Sequence, residues 1–292
     1  MKIKPVLYDD YVILENVSPD DISIKDTFEC GQCFRWEKLE DEGSYFGIAH
    51  GKRLVVQQTQ THIKMFCNKQ DFSDIWNDYF DLRVDYDEIK EKLRKDDIMN
   101  KAISSSPGIR LLNQELFETT ISFITSSNSN IKRITKNIKD LCRLLGEPIS
   151  GGYYAFPTIK AVSEADICTI NECKAGFRCD YIQSSAIMIK AMSESFDKKR
   201  YVKLGYDETK KELMKLKGVG HKVADCIILF SGISSSAFPT DVWVKRIMQD
   251  LYIKKDVSID YVLKYGQEKF GNLAGYAQQY LFHYARSNTL KN

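Results

Sequence analysis

The pattern of hydrophobic and polar positions changes period about one third of the way along the chain. In the first hundred residues the apolar runs are short and rich in β-branched and aromatic side chains. They are Tyr11-Val12-Ile13-Leu14, Cys33-Phe34-Arg35-Trp36, Tyr45-Phe46-Gly47-Ile48, Leu54-Val55-Val56-Gln57 and Ile63-Lys64-Met65-Phe66. Runs of this length between polar or glycine-containing segments predict strands. Asp41-Glu42-Gly43 and His50-Gly51-Lys52 read as hairpin loops, so the strands are expected to form an antiparallel sheet. A charged helix is expected from about Tyr86 to Lys95, with Ile89 and Leu93 one turn apart. After Ser104-Ser105-Ser106-Pro107-Gly108 the period becomes helical. Leu116, Thr120, Phe123 and Ile124 suit one helix face, and Ile131, Ile134, Ile138, Leu141 and Leu144 another, which Gly146 and Pro148 terminate. Further helices are predicted near 158–170, 180–195, 207–217, 221–231, 242–252, 258–269 and 273–287. The expected fold class is α+β: an antiparallel sheet domain over residues 1–107, then an all-α domain over 108–292. No internal repeat or low-complexity tract is visible.

Length and composition agree with this division. The 292 residues suffice for two domains, and 43% hydrophobic with 28% charged residues is an ordinary globular balance. No apolar run approaches the roughly 18 residues that a membrane helix needs. The N-terminus meets acidic residues before any long apolar stretch and does not read as a secretory signal. Eight cysteines are too sparse for a disulfide scaffold and are expected to be free thiols in a reducing compartment. Cys30 and Cys33 are formally C-x-x-C, and Cys168, Cys173 and Cys179 are loosely spaced, but neither set completes a metal or redox motif. No metal and no prosthetic cofactor are expected.

Charge changes the picture more. Residues 1–100 carry 14 basic and 21 acidic side chains, and the remainder carries 28 and 19. A net −7 followed by a net +9 points to a polyanion on the C-terminal side. Lys132, Arg133, Lys136, Lys139 and Arg143 face only Asp140 between 128 and 146. Lys210, Lys211, Lys215, Lys217 and Lys222 face only Glu212 between 210 and 222. For either run taken alone, a solvated helix face is the favoured reading.

The most informative segment is Leu213-Met214-Lys215-Leu216-Lys217-Gly218-Val219-Gly220-His221-Lys222-Val223-Ala224-Asp225. An amphipathic helix enters Gly-Val-Gly and another helix starts at once, near 208–231. Gly218 and Gly220 permit a tight turn and close backbone approach, and the N–H groups of the turn and the new helix are left to meet a phosphate. This is a helix–hairpin–helix pattern suited to binding DNA without reading its sequence. Lys222 falls in the first turn of the second helix, where the helix dipole disfavours a permanent positive charge. A neutral amine there is a nucleophile able to form a Schiff base; a lysine contacting phosphate is the equal alternative. Nineteen residues later, Asp241 in Phe238-Pro239-Thr240-Asp241-Val242-Trp243-Val244 is placed to cap the next helix. Its carboxylate is also placed to face Lys222.

Helix–hairpin–helix, Lys222, then an aspartate after Pro-x closely resembles the helix–hairpin–helix DNA glycosylase superfamily. Within it the chain is similar to the bifunctional 8-oxoguanine DNA glycosylase/AP lyase family. Three further segments carry that resemblance: Gly31-Gln32-Cys33-Phe34-Arg35-Trp36, Ser126-Ser127-Asn128-Ser129-Asn130-Ile131-Lys132-Arg133-Ile134 and Ala274-Gly275-Tyr276-Ala277-Gln278-Gln279-Tyr280-Leu281-Phe282. Four separated motifs, in order, span nearly the whole chain.

The resemblance implies a TBP-like N-terminal sheet and a set of roles. Lys222 matches the lysine that attacks C1′ of the damaged nucleotide, and Asp241 the aspartate that stabilises the cationic sugar. Phe282 and Cys226 match the residues that sandwich the extruded base. Gln278 matches the reader of its Watson–Crick edge, and Gly31 the glycine whose carbonyl meets N7–H. Asn128 matches the residue that fills the vacated duplex position, and Arg133 and Arg178 those that read the orphaned cytosine. Gly218 and Gly220 belong to the DNA-binding hairpin. Two positions depart from the family pattern. Trp243 stands where a histidine is common, which bears on phosphate and product contacts. Phe177 stands before Arg178 where a tyrosine is common, which bears on the opposite base. The implied partner is double-stranded DNA containing 8-oxoguanine opposite cytosine, bound by a monomer with no membrane attachment. The compartment would be the bacterial cytoplasm and nucleoid, or the nucleus of a eukaryote.

Two other classes compete. A related bifunctional glycosylase for oxidised pyrimidines lacks support from the N-terminal sheet and from the Gln278/Phe282 segment, and the four-cysteine cluster common in that branch is missing. A non-catalytic DNA clamp leaves the pairing of Lys222 with Asp241 without a purpose. Charge alone generates one expectation: DNA affinity should fall steeply with salt, because each neutralised phosphate releases counterions. Measuring the dissociation constant between 50 and 200 mM salt checks this, and a flat response would contradict a phosphate-binding hairpin.

Overall fold

A computed structural model of the protein describes residues 3–289. Six strands form one antiparallel sheet: β1 (Pro5–Leu7), β2 (Val12–Glu15), β3 (Trp36–Lys38), β4 (Ser44–Ala49), β5 (Lys52–Gln58) and β6 (His62–Met65), in the spatial order β1-β2-β6-β5-β4-β3. The register aligns alternate apolar residues across the central strands. Val12 and Val56 both pair with Met65, and Leu14 pairs with Ile63, all buried. Period-two alternation thus puts one sheet face onto a core that includes Phe28, Trp76, Tyr79 and Phe80. The β4–β5 connection is the two-residue turn of His50 and Gly51, both at positive φ, which matches the twist of a hairpin. The edge strand β1 and the short helix Ile24–Glu29 have no counterpart in the sequence expectations; both runs are too short to show a period.

The helical part matches expectation in its long elements and departs in its short ones. The helix Ile131–Leu145 begins at Asn130, whose side chain accepts from the Arg133 N–H, and ends at Gly146. The expected helix near 158–170 is two pieces, Ile159–Glu164 and Ile167–Asn171, because Asp166 caps a second start. Helices Asp97–Ser105 and Lys198–Leu204 were not foreseen. The helices Tyr86–Leu93 and Asp97–Ser105 pack with the C-terminal helices around Phe238, Met248, Val262 and Tyr280, so chain order and packing differ there.

Buried polar groups join the sheet to the helices. Gln32 is fully buried; its amide donates to the carbonyls of Thr27 (2.9 Å) and Arg110 (2.7 Å) and accepts from the Leu112 N–H (2.8 Å). Arg35 donates to Glu118 (3.3 Å) and to the Tyr154 carbonyl (2.5 Å). Burial pushes the Glu118 carboxyl up to about 7 although Arg35 opposes it. An acid that holds its proton more tightly when folded contributes stability below its unfolded pKa, and that contribution is lost as pH rises through the folded value. Thermal stability should therefore decline between about pH 4.5 and 7. Glu118→Gln should flatten that slope; an unchanged slope in the variant would show that other groups cause it.

Candidate active site

One large cavity of about 1310 Å³ opens between the hairpin, the helix Val242–Met248, the helix Ala274–Thr289 and the turn before Ile131–Leu145. Its wall includes Gly31, Asn128, Gly218, Gly220, Lys222, Asp241, Trp243 and Phe282, which come from five separated segments.

The hairpin follows from its glycines. Gly218 has φ +83°, and a Cβ there would stand 2.6 Å from the Tyr181 ring. Gly220 is extended (φ −94°), and the space above it is open. The sequence reading gave both glycines the same freedom; only Gly218 uses positive φ, while Gly220 leaves the helix start bare. No side chain caps the helix His221–Phe230, so its first N–H groups lack an acceptor from the cap. The Ser185 hydroxyl steadies the turn by donating to the Lys217 carbonyl at 2.9 Å.

Lys222 projects from the first turn of that helix. Its amine lies 5.4 Å from the centroid of the Phe123 ring. Phe123 stacks on Phe230 (5.3 Å) and meets Phe34 edge-on (5.6 Å), so an aromatic floor underlies the lysine. The sequence reading placed Phe34 in a motif and Phe123 on a helix face but gave neither a role at the site. Cys226 is one turn beyond Lys222 and buried. Burial pushes its thiol up to about 11, and the Lys222 charge pulls only part of the way back. The sulfur is therefore a neutral, polarizable surface rather than a thiolate.

Asp241 is the expected cap. Its carboxylate accepts from the N–H groups of Trp243 (2.9 Å) and Val244 (2.8 Å). Trp243 is half exposed, with the Arg246 guanidinium over its ring at 5.6 Å. Phe282 reaches the cavity from the helix Ala274–Thr289. Gln278, one turn earlier, is 5% exposed and is not part of the cavity wall; its Oε1 has no hydrogen-bond partner among the described residues. Cys226 also lies behind the wall rather than on it.

Asn128 is exposed at positive φ (+50°) in the turn before Asn130. Arg178 holds that turn. It is buried and donates to the carbonyls of Ser127 (2.6 Å), Ala175 (2.9 Å) and Asn128 (2.7 Å). Burial, and then nearby Arg133, lowers its pKa from the usual arginine value. Three of five guanidinium N–H groups are thus engaged with backbone and two remain. Arg133 is exposed on the first turn of its helix, and Phe177 is 55% exposed with the Arg178 guanidinium 4.5 Å from its ring centroid. Lys210, by contrast, leaves the basic run. It is buried and paired with Asp225 at 2.8 Å, and Tyr206 donates to the same carboxylate at 2.7 Å. Among the described residues no helix is long and apolar enough to cross a membrane, and no group of three His, Cys, Asp or Glu side chains is arranged to hold a metal.

Comparison with known proteins identifies the family. Residues 15–120 match the family model of the 8-oxoguanine DNA glycosylase N-terminal domain, and residues 121–270 match that of the HhH-GPD superfamily of base excision DNA repair proteins. A "Probable N-glycosylase/DNA lyase" of Methanothermobacter thermautotrophicus is 30% identical over 72% of this chain and 74% of its own length. The N-glycosylase/DNA lyase of Saccharomyces cerevisiae is 29% identical over 91% of this chain and 84% of its own length. The 8-oxoguanine glycosylase/lyase of Clostridium acetobutylicum was solved with double-stranded DNA containing cytosine opposite 8-oxoguanine. It superposes with a TM-score of 0.92 at 41% identity, covering 99% of this chain and 100% of that one. The chain therefore belongs to the HhH-GPD base excision repair superfamily and, within it, to the 8-oxoguanine DNA glycosylases, bifunctional N-glycosylase/DNA lyases.

Proposed function

We propose that the protein extrudes 8-oxoguanine from a duplex in which it faces cytosine, excises it with Lys222 and Asp241, and then nicks the abasic strand. One observation carries the assignment of residues. Lys222 and Asp241 sit at the starts of two different helices yet line one cavity, with Gly31 and Phe282 entering from distant segments.

A glycosidic bond inside a duplex is inaccessible, so the nucleotide must leave the stack. Asn128, exposed on its turn, suits the vacated position. Phe282 offers a π-face to the extruded base, and the family resemblance assigns its other face to the neutral Cys226 sulfur, which the base reaches only by displacing the wall in front of it. The unpartnered Oε1 of Gln278 suits a donor on the Watson–Crick edge. Cleavage of the C1′–N9 bond sends the electron pair to the base and leaves positive charge on the sugar. A fixed carboxylate at Asp241 lowers that barrier, and its two backbone donors keep it in place. The Lys222 nitrogen bonds to C1′ and gives up a proton; the C1′–O4′ bond then breaks, O4′ takes up a proton as a hydroxyl, and the opened sugar is left as an imine on the lysine. The imine acidifies the C2′ proton, whose loss breaks the C3′–O bond. Exposed Arg133 is the donor best placed for the acceptors of an unpaired cytosine, while Arg178, buried on the carbonyls of Ser127, Ala175 and Asn128, supports that reading by fixing the turn that presents Asn128.

Phe177 has no polar tip to match a tyrosine hydroxyl, and Trp243 keeps a single indole N–H donor but cannot carry the charge of a protonated histidine. Trp243 and Phe177 instead offer exposed faces for stacking against sugar or base.

Two variants test the chemistry. Lys222→Gln should bind DNA nearly as wild type, since one of many cationic contacts is lost, and should yield no borohydride-trapped adduct. Normal trapping would remove Lys222 from the mechanism. Asp241→Asn keeps a good cap, so its melting temperature should change little while single-turnover excision slows by about 10²–10³-fold. Asp241→Ala should lose both rate and about 1 kcal/mol of stability. Unimpaired excision in the asparagine variant would reduce Asp241 to a cap.

A further inference from the structure

Gly31 lines the cavity at φ +89°, with no side chain to anchor it. If its carbonyl accepts from N7–H of the lesion, it faces a lone pair on guanine. That contrast depends on stiffness. A carbonyl free to retreat by an ångström would relieve the clash with guanine and admit it. The rigidity must come from the neighbours of Gly31.

Gln32 supplies it at both of its ends. Its side chain is fully buried and tied to Thr27, Arg110 and Leu112. Its own carbonyl accepts from the side chain of Gln114 at 2.7 Å. Gln114 is also buried, and its backbone N–H donates to the Phe230 carbonyl at 2.9 Å. Phe230 is the last residue of the helix that begins at His221 and carries Lys222. A continuous run of hydrogen bonds therefore links the Gly31 turn, through residues 110–114, to the nucleophile's own helix.

We propose that Gln32 and Gln114 are positioning residues for lesion discrimination: they clamp the Gly31 carbonyl at a fixed distance from the Lys222 helix. Neither touches the base. The proposal rests on the reading of Gly31 as the N7 acceptor. Gln114 is the better handle, because replacing it leaves the Gln32 side-chain bonds and the Gln114 main-chain bond intact.

The test combines two readouts. Gln114→Met removes the donor to Gln32 at similar volume. Gln114→Leu removes it with a shorter apolar side chain, in case the first variant folds poorly. Excision of 8-oxoguanine should slow by about tenfold, the order expected for one weakened polar contact. β-Elimination at a preformed abasic site, which has no base to read, should be unchanged. In a Lys222→Gln background, the ratio of dissociation constants for guanine and 8-oxoguanine duplexes should shrink by a similar factor. Equal losses in excision and abasic-site cleavage, or no change in the binding ratio, would overturn the clamp. Gly31→Ala separates the two ideas. If it shrinks the binding ratio while both Gln114 variants do not, the clamp fails and the Gly31 reading survives. If it leaves the ratio unchanged, the Gly31 reading fails and takes the clamp with it.

Discussion

The site is built against one buried helix. From Val223 to Phe230 every residue of the helix His221–Phe230 is buried, and only its first turn opens onto the cavity. A nucleophile on such a helix cannot shift without disturbing contacts all along it. Phe230 stacks on Phe123 beneath the lysine, Leu229 packs against Gly275 at the start of the C-terminal helix, and Asp225 holds the buried Lys210 of the preceding helix. The segments that supply the base pocket and the nucleophile thus share a reference. Catalytic geometry of this kind tolerates displacements well under an ångström, which loops alone do not hold.

Charge is arranged to two ends. Exposed lysines and arginines of the C-terminal part present a surface for phosphates, while Lys210 and Arg178 are among the basic residues withdrawn from it. Lys210 is spent internally on Asp225, where burial raises the carboxyl's pKa and the lysine and Tyr206 counter that cost. Arg178 is spent on three carbonyls that shape the turn at Asn128. Breaking either set would leave buried groups unsatisfied, a larger penalty than losing a surface ion pair. Arg35 and Glu118 play the equivalent part between the Gly31-containing segment and the helix Leu116–Ser126.

Much of the site was legible because its motifs are local. The hairpin, Lys222 after it and Asp241 at a helix start can be read from spacing, since turns, caps and first-turn positions depend on residues within four of one another. The structure puts Lys222, Asp241, Gly31, Asn128, Trp243 and Phe282 on one wall. It keeps Cys226 and Gln278 just behind that wall. The floor of Phe34 and Phe123 could not be found this way, because both read as ordinary core residues and their role depends on what packs above them. Nor could the glutamine run, since nothing in sequence marks a buried amide from an exposed one.

By itself the sequence determined the change from period two to period 3.6, the hairpin turn at His50 and Gly51, the cap at Asp241, and the candidate nucleophile. These are consequences of backbone sterics and short-range hydrogen bonding. Only the tertiary structure decided which charges are buried, so that Lys210 left the basic face and Arg178 turned inward onto carbonyls. Only it showed that helices Tyr86–Leu93 and Asp97–Ser105 join the C-terminal core, and that Gln32, Gln114 and Phe230 are bonded in series. The reason is that burial and long-range partners arise when separated segments pack together, and a side chain's cost or benefit is set by that environment rather than by its neighbours in the chain.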